Sequence, residues 1–466
     1  MAMIAPYPGG APATSHRPAD GTLPWLVGAV ALLAGGLIAF LVDPRLGLVV
    51  AAVPLAPLLV LRPEYGLYLL FAVVPFDAVA ALSEDEGAST LTRLLGIAVL
   101  GAWVIHLLGN RRSVRLGTAG TVLMAYVVFA ATSIAWSVDT SVTKTALRTL
   151  VQLATLYVMV ANVLRTPQQM RRALDVLLVA TTVLAVFVLV QAPGGAIRAR
   201  LTYGTHEMNP NYVAAALALP AAAALGLGRD RGPLGWWRFA AVVPICIALF
   251  ITGSRGGGIA LASGLLAIAL VRPGRGIWGA VAALAVVLLL PAVLPQQTVD
   301  AMWERYSHAE QDRFSGRFDI WRVGLAMVAD RPLEGTGIGG FPVAFYQYMT
   351  ETPVDFQFAR ENSRGNRAAH NVYLGTLAEL GVIGSALLVV GLAAHGLAAR
   401  RAQRRAAAGR DRDAARLGVA LVGVFAAMLV MGGSIDLLGT KLPWMLLGLM
   451  AATALPGTAF AGGRRS

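Results

Sequence analysis

A histidine at the mouth of a long apolar run is the first residue in this chain that could do chemistry. His370 opens the stretch His370-Asn371-Val372-Tyr373, and an imidazole with an ordinary pKa near 6.5 accepts a proton at neutral pH, as a general base on a hydroxyl must. Tyr373 falls one helical turn on, on the same face. Glu379, nine residues on, is about half a revolution away and deeper, which makes it a bundle contact rather than the partner of the imidazole.

Three further groups belong beside it. Thr252-Gly253-Ser254-Arg255-Gly256 joins two apolar runs almost without a loop. An arginine at the edge of hydrocarbon is costly without a partner, so it either holds an anion or snorkels to the headgroups. The glycines allow a tight reversal and close approach of backbone to a ligand. Ser315-Gly316-Arg317, followed by Trp321, brings a second guanidinium. In Asn209-Pro210-Asn211, Asn209 can cap a helix with Pro210 at its first position, which aims free N–H groups and a positive dipole end outward. Asn211 has no such geometric reason to be polar.

The elements that must position these residues are membrane spans. The 466 residues are 57% hydrophobic and 14% charged, against about 45–50% and about 25% in soluble proteins, which excludes a soluble globular enzyme. Apolar runs predict an all-α polytopic membrane protein with about 12–14 transmembrane helices. The run Pro24–Val42 is a retained first span, and one long extracytoplasmic loop, residues 295–369, carries short amphipathic helices. Within it Phe314, Phe318, Trp321, Leu325 and Val328 recur at helical spacing as one apolar stripe, flanked by Arg317. The expected domains are a loose cytoplasmic tail (1–23), an N-terminal bundle (24–200), a catalytic region (201–396), a basic cytoplasmic loop (397–416) and C-terminal helices with a tail (417–466).

The net charge of +13 is scattered over short loops without interleaved aromatics, so it signals topology and not nucleic acid. Arg111, Arg112, Arg115, Arg165, Arg171, Arg172, Arg229, Arg231, Arg238 and the run Arg400–Arg416 fall on one side. Both termini are then cytoplasmic in an inner or plasma membrane, and the motifs face outside. A single cysteine, Cys246, excludes a disulfide framework. No metal site is expected: no two histidines have ligand spacing, and the acidic Glu84-Asp85-Glu86 lacks spaced ligands. Gly335, Gly337 and Gly340 match G-x-G-x-x-G, but no strand precedes them and no Walker-type ending exists, so neither a nucleotide nor another cofactor is expected.

Taken in order, the motifs resemble the O-antigen ligase and O-antigen polymerase superfamily of bacterial membrane glycosyltransferases. The resemblance rests on residues 209–384: Thr252-Gly-Ser254-Arg255-Gly, Ser315-Gly-Arg317 with Trp321, Pro332 with Gly335 and Gly337, His370-Asn371, and Glu379-Leu-Gly381. It implies transfer of a glycan from an undecaprenyl diphosphate carrier to an acceptor hydroxyl on a glycan, lipid or protein at the outer face of the bilayer, with inversion and without metal. Arg255 and Arg317 would hold the diphosphate and His370 would activate or position the acceptor. Ser254, Asn211, Tyr373 and Asn371 would contact substrate. A polymerase of lipid-linked repeats shares these motifs. A lipid-linked glycan transporter is the competing class and would depend on Asp77, an acid within an apolar run. A purely structural membrane partner would depend on none of these residues.

Overall fold

In the computed structural model, residues 57, 59–80, 86–192, 202–203, 206–207, 209–229, 235–272, 296, 300, 316–354 and 367–455 are described. The chain divides into a unit over Met1–Arg62, of which only residues 57 and 59–62 are described, and a large unit over Pro63–Ser466. The tail 1–23, the run Pro24–Val42, the apolar run near residue 277, Phe314, Ser315, and the side chains of Asp77 and of the acidic cluster 84–86 lie outside the described residues.

The large unit is all-α. Its helices are α1 (Pro63–Ala80), α2 (Glu86–Gly109), α3 (Gly117–Thr132), α4 (Thr140–Val163), α5 (Pro167–Gln191), α6 (Pro210–Leu227), α7 (Trp237–Ile251), α8 (Arg255–Val271), α9 (Arg317–Asp330), α10 (Gly340–Glu351), α11 (Val372–Ala408), α12 (Arg412–Gly432) and α13 (Lys441–Ala452). A two-residue antiparallel pair, Thr202–Tyr203 with His206–Glu207, precedes α6. Six helices are long and apolar enough to cross a membrane: α3 with its following turn, α4, α5, α6, α11 and α12. Helices α1, α2, α7, α8 and α13 hold shorter apolar stretches. The protein is therefore a polytopic membrane protein.

Local sequence starts these helices where it should. Asp139 accepts from Ser141 N and Val142 N to begin α4. Thr166 and Gln169 form a capping box on α5, with Pro167 at its first position. Asn209 caps α6 as its spacing predicts, accepting from Asn211 N at 3.0 Å. The basic stretch 397–416 is helical on both sides of a turn, α11 running to Ala408 and Asp411 capping α12.

Packing is set by small residues. In lipid, helices gain little from hiding apolar surface from one another, and close backbone approach at Gly and Ala supplies the contact instead. α12 lies at the centre of such seams. A methyl group on Gly226 of α6 would run into the Ala420 backbone, one on Gly264 of α8 would stand 2.9 Å from Gly423 O, and one on Gly418 would meet Gln403 at 2.6 Å. This accounts for the Ala-rich sequence of α6, whose side chains are nearly all buried.

Two polar pairs are sealed inside. Arg238, expected among exposed loop arginines, is instead buried: its Nε and Nη2 donate to Asp175 at 2.7 and 2.9 Å, fastening the start of α7 to α5. His395 Nδ1 donates to Gly391 O at 2.7 Å, so its Nε2 accepts from Tyr157 OH at 2.9 Å.

Helix α9 forms where the spacing predicts one, with Trp321 and Val328 of the expected stripe partly buried against its covered face. Ile320, Val323 and Met327 are buried with Phe341 and Phe345 of α10, whereas Phe318 and Leu325 of the expected stripe are exposed. The helix carries apolar residues on two flanks, and periodicity alone does not say which flank the protein covers.

Gly226→Ala is expected to lower the unfolding midpoint by several degrees, because overpacking a close seam costs about 1–3 kcal/mol. Thermal unfolding of the detergent-solubilised protein checks it; an unchanged midpoint would mean that the α6–α12 seam yields freely.

Candidate functional site

The segment between α9 and α10 is held to the bundle by a break in α11. At Gly381 the backbone takes φ 60° and ψ −166°, a region essentially confined to glycine. The peptide groups freed by the break find partners in the segment between α9 and α10. Thr336 N donates to Ala378 O at 3.0 Å, Gly337 N to Glu379 O at 2.8 Å, and Val382 N to Pro332 O at 2.9 Å. A side chain at Gly381 would collide with the Leu333 carbonyl, and one at Gly335 with the Glu379 backbone. The glycines at 335, 337 and 339 all have positive φ, so they supply the turns of this segment.

The same segment is stitched on its other side to the α3–α4 connection. Trp136 Nε1 donates to Glu334 O at 2.9 Å and Val138 N to Thr336 O at 3.0 Å. Ile338 N donates to Ser133 Oγ at 3.1 Å, and Thr143 Oγ1 to Ile338 O at 2.8 Å. Glu379 completes the joint: its Oε1 accepts from Phe341 N at 3.1 Å, in the first turn of α10. It is thus a packing contact and not a partner of His370, as its half-turn offset implies.

On this frame the predicted residues fall into two groups. The first surrounds the starts of α6 and α8. Ser254 caps α8, accepting from Gly257 N at 3.3 Å, and its hydroxyl donates to Asn211 Oδ1 at 2.9 Å. That bond gives Asn211 the reason for polarity that helix geometry does not. Arg255 is the first residue of α8, two residues after the positive-φ Gly253, and is half-buried. A methyl on Gly256 would stand 2.6 Å from Ser434 Oγ, so the first turn of α8 abuts the α12–α13 connection.

The second group surrounds the start of α11. Asn371 caps it through Tyr373 N at 3.0 Å and Leu374 N at 3.2 Å. His370, just outside the helix, is half-buried with φ 49°. Trp321 of α9 donates to Ala369 O at 3.2 Å and so holds the histidine's approach to α11. Burial, with the charges of Arg317 and Arg367, pushes the His370 pKa below its ordinary value, favouring the neutral imidazole. Arg317 is the first residue of α9, after the positive-φ Gly316.

Tyr373 joins the two groups. Its hydroxyl donates to Leu429 O of α12 at 2.6 Å, and it packs near Gly432, two residues before Ser434. The starts of α6, α8 and α11 therefore meet at one end of the bundle, around the last turn of α12. The hydroxyl of Tyr373 and the Oδ1 of Asn371 bind backbone, so both residues shape this end.

One acid there was not anticipated from the sequence. Asp436, between α12 and α13, is exposed, yet desolvation raises its pKa, with the Gly439 N–H acting in the opposite sense. It is within electrostatic reach of Tyr212, next to Asn211, and of Tyr126 and Glu379. The signal was present in Gly433-Ser434-Ile435-Asp436, an acid between two apolar runs.

Gly381→Ala is expected to loosen the joint. Positive-φ strain of about 1–3 kcal/mol and the collision with Leu333 would raise cleavage by a glutamate-specific protease after Glu334 roughly tenfold, since local opening exposes the segment. Cleavage at the wild-type rate would show that the loop is held elsewhere.

Residues 240–389, about a third of the chain, match the model of a family described as O-Antigen ligase. The match runs from α7 into the middle of α11. It includes Arg255, Arg317 and His370 and both sides of the Gly381 joint, and it leaves out Asn211 and Asp436. No curated protein matches the sequence.

Proposed function

We propose, from the O-antigen ligase-type domain of residues 240–389, that this membrane protein transfers a glycan from a polyprenyl diphosphate carrier, of undecaprenyl type, to an acceptor hydroxyl at the outer face of the cytoplasmic membrane. The observation that carries the reading is the convergence of His370, Arg255 and Arg317 with the N-terminal ends of α6, α8 and α11 at one end of the bundle.

A lipid diphosphate is already a good leaving group. What the protein must supply is charge opposite the oxygens on which negative charge develops as the sugar–oxygen bond breaks. Two guanidinium forks do this, and helix N-termini add partial positive charge. Arg255 and Arg317 are each the first residue of a helix, so their backbones are fixed before the donor arrives.

His370 is the general base. Its depressed pKa keeps the imidazole neutral, with a lone pair for the acceptor's proton as the hydroxyl oxygen attacks the anomeric carbon. Attack opposite the departing diphosphate inverts that carbon. Asn211 and Ser254 hold the starts of α6 and α8 together beneath the diphosphate, while Asn371 and Tyr373 fix the start of α11 and hence the imidazole. A repeat-unit polymerase would use the same chemistry with a lipid-linked acceptor.

The test is turnover of a polyprenyl diphosphate oligosaccharide by the reconstituted protein, with products identified by mass spectrometry. His370→Ala, Arg255→Ala and Arg317→Ala should each reduce turnover by about 100-fold or more, as loss of a general base or an oxyanion contact does, while insertion is unchanged. Turnover by all three at the wild-type rate would sink the reading.

The pH profile gives a second test. Arg367 disfavours protonation of His370, so Arg367→Gln should raise the histidine's pKa toward its ordinary value. The acidic limb of the activity profile would then move to higher pH, with the neutral-pH rate little changed. An unmoved limb would mean that another group titrates.

A further inference from the structure

A second polar feature lies outside this convergence, on α4. Ser141, Thr145 and Thr149 recur every four residues and floor a groove of about 370 Å3, walled on one side by Gly339 and Pro342 at the start of α10. Lys144 and Arg148, also four apart, run along the other edge of the hydroxyl row, and both are exposed. Among the described residues neither has an ion-pair or hydrogen-bond partner. The chain's other lysine, Lys441, donates to Thr92 Oγ1 at 3.0 Å. The acid nearest along the helix, Asp139, is engaged by its own cap.

Two cations without partners in the first turns of a membrane span are costly unless something else supplies negative charge. They also stand at the end that the arginine distribution assigns to the outside, where positive residues are not favoured by topology. Arg148 is about 12 Å along the helix from Thr140 at about 1.5 Å per residue. Helical side chains lean toward the N-terminus, so both charges are carried up to headgroup level.

The hydroxyls narrow the ligand further. Thr145 Oγ1 donates to Ser141 O at 3.2 Å and Thr149 Oγ1 to Thr145 O at 3.3 Å. With their protons turned back onto the helix, they present lone pairs to the groove and accept from a hydroxyl-bearing ligand.

We propose that the groove between α4 and the start of α10 binds the headgroup of an anionic membrane phospholipid that carries free hydroxyls. Lys144 and Arg148 hold the phosphate, and Thr145 and Thr149 accept from the headgroup hydroxyls. The proposal rests on the outward orientation argued above and not on the transfer chemistry, so it can fail while glycan transfer stands, and the reverse.

The experiment is lipid retention by the full-length detergent-solubilised protein in native mass spectrometry, with phosphatidylglycerol, phosphatidic acid and phosphatidylcholine as probes. Wild type should retain the first two over the third. Lys144→Gln/Arg148→Gln should weaken retention of both anionic lipids about tenfold, the scale of lost charge-assisted hydrogen bonds. Thr145→Val/Thr149→Val should weaken phosphatidylglycerol alone, because phosphatidic acid has no headgroup hydroxyls. All substituted side chains are on the surface, and an unchanged circular dichroism spectrum confirms the fold. Wild-type retention by the Lys144/Arg148 variant, equal retention of phosphatidylcholine, or displacement of phosphatidylglycerol by inorganic phosphate would overturn it.

Discussion

A helix broken inside a membrane must have its freed peptide groups answered by protein, because hydrocarbon offers them no partner. In this molecule that requirement is met at the break in α11 at Gly381, and the partners come from residues 332–337. The exchange works in both directions. The loop completes the helix, and the helix gives the loop a fixed seat against the α3–α4 connection. α9 and α10 then lie on the outer part of α11 as a small apolar layer of their own, and Arg317 inherits its position from that layer.

The electrostatics of the end where α6, α8 and α11 start follow from this arrangement. Each candidate residue sits at a helix start whose cap is a short polar side chain or a glycine: Ser254 before Arg255, Gly316 before Arg317, Asn371 after His370. Caps fix backbone direction within a residue or two of the functional group, which suits a site that must place charge and not merely supply it. Three convergent helix starts and two guanidinium groups make the end electropositive. Asp436, between α12 and α13, is an acid at the same end, and desolvation raises its pKa.

Much of this was legible in the sequence where the determinant is local. Asn209 with Pro210 spells a helix start, and the spacing from Phe318 to Val328 spells a helix. The paired motifs Pro332…Gly337 and Glu379…Gly381 could be seen to occur together, but only the fold reveals that each is the other's hydrogen-bond partner. What was not legible depends on contacts far apart in the chain. Asn211 meets Ser254 across 43 residues, and Tyr373 meets Leu429 across 56. The choice of the Ile320–Met327 face of α9 over the Phe318–Leu325 face is settled by α10, which periodicity within α9 does not register. Arg238 read as a loop cation because its partner Asp175 is 63 residues away.

The glycine and alanine seams of α12 have a geometric corollary. Where one added carbon at Gly226 or Gly264 would already collide with the neighbouring backbone, the trio of α6, α8 and α12 encloses no lumen, and nothing the width of an isoprenoid chain threads between them. A lipid-borne substrate of the proposed reaction could not pass its tail through this trio and would meet it from the side. Reach would then be governed by how far the diphosphate rises above the acyl boundary, which makes membrane thickness a determinant of turnover alongside the side chains themselves.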